Sequence, residues 1–219
     1  SYGQLDTVHY FPPFHASEHS LGEQFFFLST PSNQNIEIEV LDSYGYPVEV
    51  LTISNRNPES YFVGTNNDSR VMTQQTELAI ALQNKGYIFR SDDYFYCNYR
   101  VIAHPQSGSI TCKGTSAVGY RFRPGHMINS HHYSYRSNSV SMMALEDAEI
   151  KISNLPDDLI LRNIQIDSGE LHFQLNKGET IVLSEYFHIT APNNVQGFLG
   201  SLIESTGEIV VNCGSYTGG

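Results

Sequence analysis

The sequence predicts an all-β protein made of two tandem antiparallel β-sandwich domains. Three observations predict this. Apolar and polar residues alternate with period two, polar turn signals recur every 8 to 12 residues or so, and parts of the chain match other parts at an offset of 114.

The alternation is clearest in three stretches. Asn35 to Val40 places Ile36, Ile38 and Val40 on one face; Ala148 to Ile152 and Leu171 to Leu175 follow the same rule. Side chains on a strand point alternately to opposite faces, so such runs read as half-buried strands. Turn clusters separate them, among them Asp42-Ser43-Tyr44-Gly45, Asn55-Arg56-Asn57-Pro58, Asp167-Ser168-Gly169 and Asn176-Lys177-Gly178. The stretch Gln74 to Leu82 has some helical character, but Asn84-Lys85-Gly86 bounds it and it is read as a strand. Among the aromatic residues, Tyr10, Phe11, Phe25 and Phe27 are expected to bury area in the first core.

At the offset of 114, Leu28 meets Met142, and Ile36 and Ile38 meet Ile150 and Ile152. Val50 and Thr52 meet Ile164 and Ile166, and Phe89, Ser91, Phe95 and Asn98 meet Ile203, Ser205, Ile209 and Asn212. Duplication of a unit of about 100 residues would produce this pattern. The expected organisation is an extended lead-in over 1–19, a first sandwich over 20–105, a connector over 106–124 and a second sandwich over 125–219.

Composition narrows the function. Twenty-six Tyr and Phe supply enough aromatic area for a core, so wholesale disorder is excluded. The net charge of −11 disfavours binding to a phosphate backbone, so no nucleic-acid partner is expected. The longest apolar runs are about four residues, so no membrane-spanning segment is expected. No G-x-S-x-G elbow, H-E-x-x-H pair or P-loop occurs, and Asp92-Asp93 and Asp157-Asp158 read as solvated turns; no catalytic residue and no enzyme activity is expected. His9, His15 and His19 lack a chelating spacing, and the acidic loop Asn66-Asn67-Asp68 lacks the calcium-loop pattern. No metal and no cofactor is expected.

Three cysteines occur, none in a C-x-x-C pair. Cys97 and Cys112 lie 15 positions apart in extended stretches, where two readings are open: a cross-strand disulfide, or buried thiols acting as small apolar groups. The chain begins at Ser1 without a basic or apolar leader. It ends in loop-like Gly214 to Gly219 and reads as a portion of a longer polypeptide.

Several motifs together carry a resemblance. His9-Tyr10-Phe11-Pro12-Pro13 is followed by Gln24-Phe25-Phe26-Phe27-Leu28-Ser29-Thr30-Pro31. Then come Gly108-Ser109-Ile110-Thr111-Cys112-Lys113-Gly114 and Gly119-Tyr120-Arg121-Phe122-Arg123-Pro124-Gly125-His126. Ile209-Val210-Val211-Asn212-Cys213-Gly214-Ser215-Tyr216-Thr217-Gly218 closes the series. In this order they resemble the N-terminal region of very long cell-surface proteins of Bacteroidota, gliding-motility adhesins and related proteins exported by the type IX secretion system. They are also distantly similar to the IgG-Fc-binding-protein N-terminal domain. The resemblance implies an exported, non-enzymatic, structural or adhesive module at the cell surface, with a sorting domain far downstream. The pattern departs at Cys97 and Cys112, where small or polar residues are expected, and that joint departure favours the disulfide. Asp6-Thr7-Val8 resembles the short motif at which Bacteroidota O-glycosylate exported proteins, which makes Thr7 a glycosylation candidate.

Charge is unevenly distributed. No Asp or Glu lies between Tyr94 and Leu145, a stretch that holds Arg100, Lys113, Arg121, Arg123 and Arg136. Two readings follow: a basic seam between the sandwiches that binds acidic glycans, or a seam that pairs with the acidic faces of its own domains. The expected partners are cell-surface or extracellular glycans or proteins, or other copies of the chain. Tyr44, Tyr46, Tyr133 and Tyr135 are the candidates for stacking on sugar rings.

Overall fold

The computed structural model describes residues 4–15, 21–65, 70–103, 106–128, 138–186 and 196–214. The protein is all-β and almost wholly antiparallel.

The first unit contains β1 (Asp6–Phe11), β2 (Phe14–His15), β3 (Glu23–Ser29), β4 (Ile36–Asp42), β5 (Pro47–Ile53), β6 (Glu59–Thr65), β7 (Met72–Thr73), β8 (Tyr87–Ala103), β9 (Gln106–Thr111) and β10 (Lys113–Gly114). The second contains β11 (Val118–Phe122), β12 (Ser139–Ala144), β13 (Ala148–Ser153), β14 (Leu171–Leu175), β15 (Thr180–Ser184) and β16 (Leu202–Gly214). The stretch 106–124 thus forms strands of both units: β9 and β10 complete the first, and β11 belongs to the second.

Each unit is organised around one long strand that serves two layers. The start of β8 pairs with β4 and β1, and its later half pairs with β3 and β9. In the same way β16 pairs with β13 early and β12 late, while β11 runs beside it. A strand that bends can change layers, and the bend sits at a bulge. In the first unit Asp6 faces Phe95 and Val8 faces Arg90, so two positions on β1 span five on β8. In the second, Gly119 faces Ile209 and Arg121 faces Glu204, the same two against five. Both bulges open on serine: Ser91 Oγ accepts the Asp93 N–H at 3.3 Å, and the Ser205 hydroxyl donates to the Gly207 carbonyl at 2.7 Å.

The registers agree as well. Leu28 faces Cys97 and Met142 faces Val211, each member of the second pair lying 114 positions after its counterpart. One part of the expected match fails. Val50 and Thr52 lie on β5, but Ile164 and Ile166 lie outside any strand; the hairpin partner of β13 is β14, later in the chain. Gln74 to Leu82 is not a strand either. It holds a single 3-10 turn, Gln75–Glu77, in which the Glu77 carboxylate accepts the Gln74 N–H, and Ala79 takes a left-handed conformation.

Two apolar cores result. The first is aromatic and centred on Phe26, whose ring meets Phe11, Tyr87, Phe89 and Tyr99 at centroid distances of 4.6 to 5.6 Å. The second is aliphatic, from Val140, Met142, Ile150, Ile152, Leu183 and Ile203 among others. Rings fill the first volume where branched aliphatics fill the second, so the same topology is packed with different side chains.

The units dock closely. β12 and β15 are buried on both faces, one toward their own core and the other, with Ser141, Met143 and Val182, toward β2 and the segment after β7. The Ala79 N–H donates to the Val182 carbonyl at 2.9 Å, and Leu82 and Thr180 exchange backbone hydrogen bonds of 2.7 and 3.0 Å.

Candidate functional site

The solvent side of the β6-β3-β8-β9 layer departs from the usual alternation. A sheet face turned to water normally carries polar residues. Here Phe25 and Phe27 project outward from β3, and Phe62 projects from β6. The Phe25 ring lies 5.2 Å from Phe62 and 6.0 Å from Phe27, so the three form one patch. Phe27 is 40% exposed, Phe62 52% and the neighbouring Tyr96 42%, although three rings of this size would ordinarily be buried. Phe25 and Phe27 therefore do not enter the first core. The buried member of the triplet is Phe26, which alternation sets on the face opposite Phe25 and Phe27.

Arg100 completes the patch. Register places it beside Phe25, and its guanidinium sits 4.9 Å from the centre of the Phe27 ring. Its Nε–H donates to Asn98 Oδ1 at 3.1 Å, and the Ser109 hydroxyl donates to the same oxygen at 3.0 Å. Arg100 has no carboxylate partner among the described residues. A cation held over a ring, with only its Nε–H donated to Asn98 among the described residues, keeps its remaining N–H groups for a ligand. Aromatic residues and arginine are the types that dominate binding hot spots.

The other basic residues do not gather with it. Arg121 pairs with Glu204 at 3.2 Å across β11 and β16, and Arg123 donates to the Gly200 carbonyl at 2.9 Å. Lys113 lines a cleft of about 240 Å³ between the units, with Phe14, Ile110, Ser139, Ser141 and Asn212. Arg136 lies outside the described residues, as do Tyr133, Tyr135, His19 and the loop Asn66 to Asp68. Tyr46 is exposed, but Tyr44 packs on Gly178 of the second unit and is not a free platform.

Cys97 and Cys112 do come together. The Cys112 N–H donates to the Cys97 carbonyl at 3.1 Å, continuing the β8–β9 register, and both side chains are buried. They stand as free thiols. Burial pushes the Cys97 thiol well up, reinforced by contact with the Cys112 side chain. Thr7 is half-buried at the β1 bulge, where its N–H donates to Asp6 Oδ1 at 2.7 Å. The other Asp6 oxygen accepts both the hydroxyl and the N–H of Thr115, at 2.6 and 2.7 Å. Burial raises the Asp6 carboxyl, but these hydrogen bonds outweigh it and hold the group below its ordinary value.

Two buried histidines, His9 and His15, serve the fold. His9 Nε2 meets the Phe95 carbonyl at 2.8 Å and His15 Nδ1 meets the Thr73 carbonyl at 2.9 Å. No cluster of three metal-ligating side chains occurs among the described residues, and no helix there is long and apolar enough to cross a membrane.

The alternation that placed Phe25 and Phe27 on one face was visible in the sequence. Which face met water was not. The triplet Phe25-Phe26-Phe27, apolar on both faces of a strand, was the signal available. Compared with family models, with curated proteins and with solved structures, the chain matches none.

Proposed function

We propose that this chain is a non-enzymatic contact module, displayed outside the cell, that acts through the Phe25–Phe27–Phe62–Arg100 face. The observation that carries this reading is the exposed ring cluster on the water side of a sheet, with a cation over it that has no carboxylate partner among the described residues. Leaving Phe27 and Phe62 partly in water forgoes a share of the roughly 1.5 to 3 kcal/mol that full burial of each ring would give, and contact with a partner recovers it. The ordered motifs that resemble the N-terminal region of type IX-exported adhesins of Bacteroidota support the same class. Two closely docked units suit such a role, because load crosses many backbone hydrogen bonds rather than a loose hinge. The partners in this reading are extracellular glycans or proteins, or further copies of the chain. Phenyl rings offer their faces to sugar C–H groups or apolar side chains, and Arg100 offers a planar pair of donors to a carboxylate.

The test is retention of the chain on immobilised alginate, polygalacturonate, dextran and gelatin. At least one of these, or the chain itself, is expected to retain it. The Phe27→Ser/Phe62→Ser variant should lose that retention at least tenfold while melting like the parent. Retention unchanged in this variant would refute the assignment of the face.

A further inference from the structure

We propose that the aromatic face is occupied by the second unit of another copy of this chain, so that copies join head to tail. This rests on the reading of the face as the contact surface and names one occupant for it.

The argument comes from the matching registers. At the offset of 114, Phe25 and Phe27 on β3 correspond to Ser139 and Ser141 on β12, and Asn98 corresponds to Asn212. The aromatic face of the first unit and the Ser139–Ser141 face of the second are therefore the same face of the same fold. In the second unit that face is covered: Ser139, Ser141 and Met143 are buried, and so are Thr180 and Val182 beside them. What covers it is one end of the first unit. Phe14 lines one cleft with Ser139 and Ser141, the Asn212 side-chain N–H donates to the Pro12 carbonyl at 3.4 Å, and Gly86 sits at the tip of Met143. In the first unit the corresponding face is open.

Among the described residues, the matching end of the second unit also shows apolar side chains to solvent. Along β1 and β11 the matching offset is 113, since His9 and Phe122 face Phe89 and Ile203, so Phe14 and His15 of β2, both buried, correspond to Met127 and Ile128. These are 78% and 59% exposed, the first of them the most exposed of the large apolar residues described. Among the described residues, one chain thus carries an exposed apolar face on its first unit and exposed apolar side chains at the end of its second. The equivalent pair of surfaces, the end of the first unit and the Ser139–Ser141 face of the second, is already joined once within the chain. Repeating that interface between chains continues it. The contact is heterologous, since the two surfaces differ, and a heterologous contact that does not close makes an open string.

Sedimentation velocity of the 219-residue chain across about 1 to 500 μM tests this, with three variants that change only exposed side chains. The parent should grow in weight-average mass beyond a dimer as concentration rises. Phe27→Glu/Phe62→Glu and Met127→Glu/Ile128→Glu should each remain at 24.6 kDa. An equimolar mixture of the two should give a species of twice that mass and no larger, because each supplies the surface the other lacks. The combined variant should stay monomeric in every mixture. A parent that stays monomeric throughout overturns the proposal. So does a dimer that forms through the rings alone, is indifferent to Met127 and Ile128, and leaves the mixture unpaired. If the monomeric parent still binds a polysaccharide through Phe27 and Phe62, the contact face stands and only its occupant was wrong.

Discussion

The ring of Tyr44 lies directly over Gly178, where a β-carbon would stand 2.3 Å from Cδ1 of that ring. Tyr44 belongs to the β4–β5 turn of the first unit, and Gly178 to the β14–β15 turn of the second. Gly178 also has φ +85°, which suits glycine. The Asn176-Lys177-Gly178 turn that the sequence marks is thus also a docking point between the units.

Gly178→Ala should therefore destabilise the chain by about 2 to 4 kcal/mol, from left-handed strain plus overpacking. Tyr44→Ala removes the ring without either fault. Combining it with Gly178→Ala should restore the part due to the clash, leaving only the backbone strain. Urea unfolding of both single variants and the double variant checks this.

Phe26 and Phe27 are neighbours with opposite surroundings. Phe26→Ala opens a void among four rings and should cost about 3 to 5 kcal/mol. Phe27→Ser changes an exposed side chain and should move stability by no more than about 0.5 kcal/mol. The contrast is read from denaturant midpoints at constant m.

Acid should unfold the chain in two stages. Burial lowers the proton affinity of both His9 and His126 below the ordinary imidazole value of 6.5. His126 is also poised as neutral imidazole, since its Nε2 accepts the Phe198 N–H at 3.1 Å. A base with a depressed folded value binds protons more readily when unfolded. Its stability contribution is complete above pH 6.5 and is lost as pH falls through the folded values. Asp6, held low by Thr115, adds a second loss below about pH 3.8. Unfolding midpoints measured from pH 8 to 3 should be flat, then fall from pH 6.5 downward. His9→Gln should make the first decline shallower, and Asp6→Asn should remove the second.

Cys97 and Cys112 should oxidise as a pair. A hydrogen-bonded antiparallel pair sets Cα atoms about 5.5 Å apart, within the range a disulfide spans. With glutathione disulfide as oxidant, the two thiols lose two protons and two electrons, and the oxidant becomes two glutathione thiols. Mass spectrometry of an oxidised digest should show the 97–112 link, with Cys213 unlinked. Closing this 15-residue separation should add about 3 kcal/mol. A chain that retains both thiols after oxidative unfolding and refolding would contradict this.

Much of the architecture was legible because strand periodicity is local. Ile36, Ile38, Ile150 and Ile152 alternate as strands and fold as strands. The offset of 114 was legible where both units keep a core position, as at Phe89 and Ile203. It failed at Val50 and Thr52, because β14 is displaced along the chain by the Leu155–Ile166 loop, which carries its own buried leucines. Gln74 to Leu82 was misread because its apolar residues serve an interface between units, and local alternation does not report such contacts. The aromatic face was hidden for a similar reason: a phenylalanine triplet does not say which neighbour faces water.

Hydroxyl-radical footprinting of the bound chain tests the contact face most directly. The chain is oxidised free and then bound to whichever surface or copy retains it. Protection is expected at Phe25, Phe27, Phe62 and Tyr96, with Tyr46 and Tyr120, exposed elsewhere, oxidised equally in both states. Protection at Tyr46 or Tyr120 with the four ring positions unchanged would contradict the assignment.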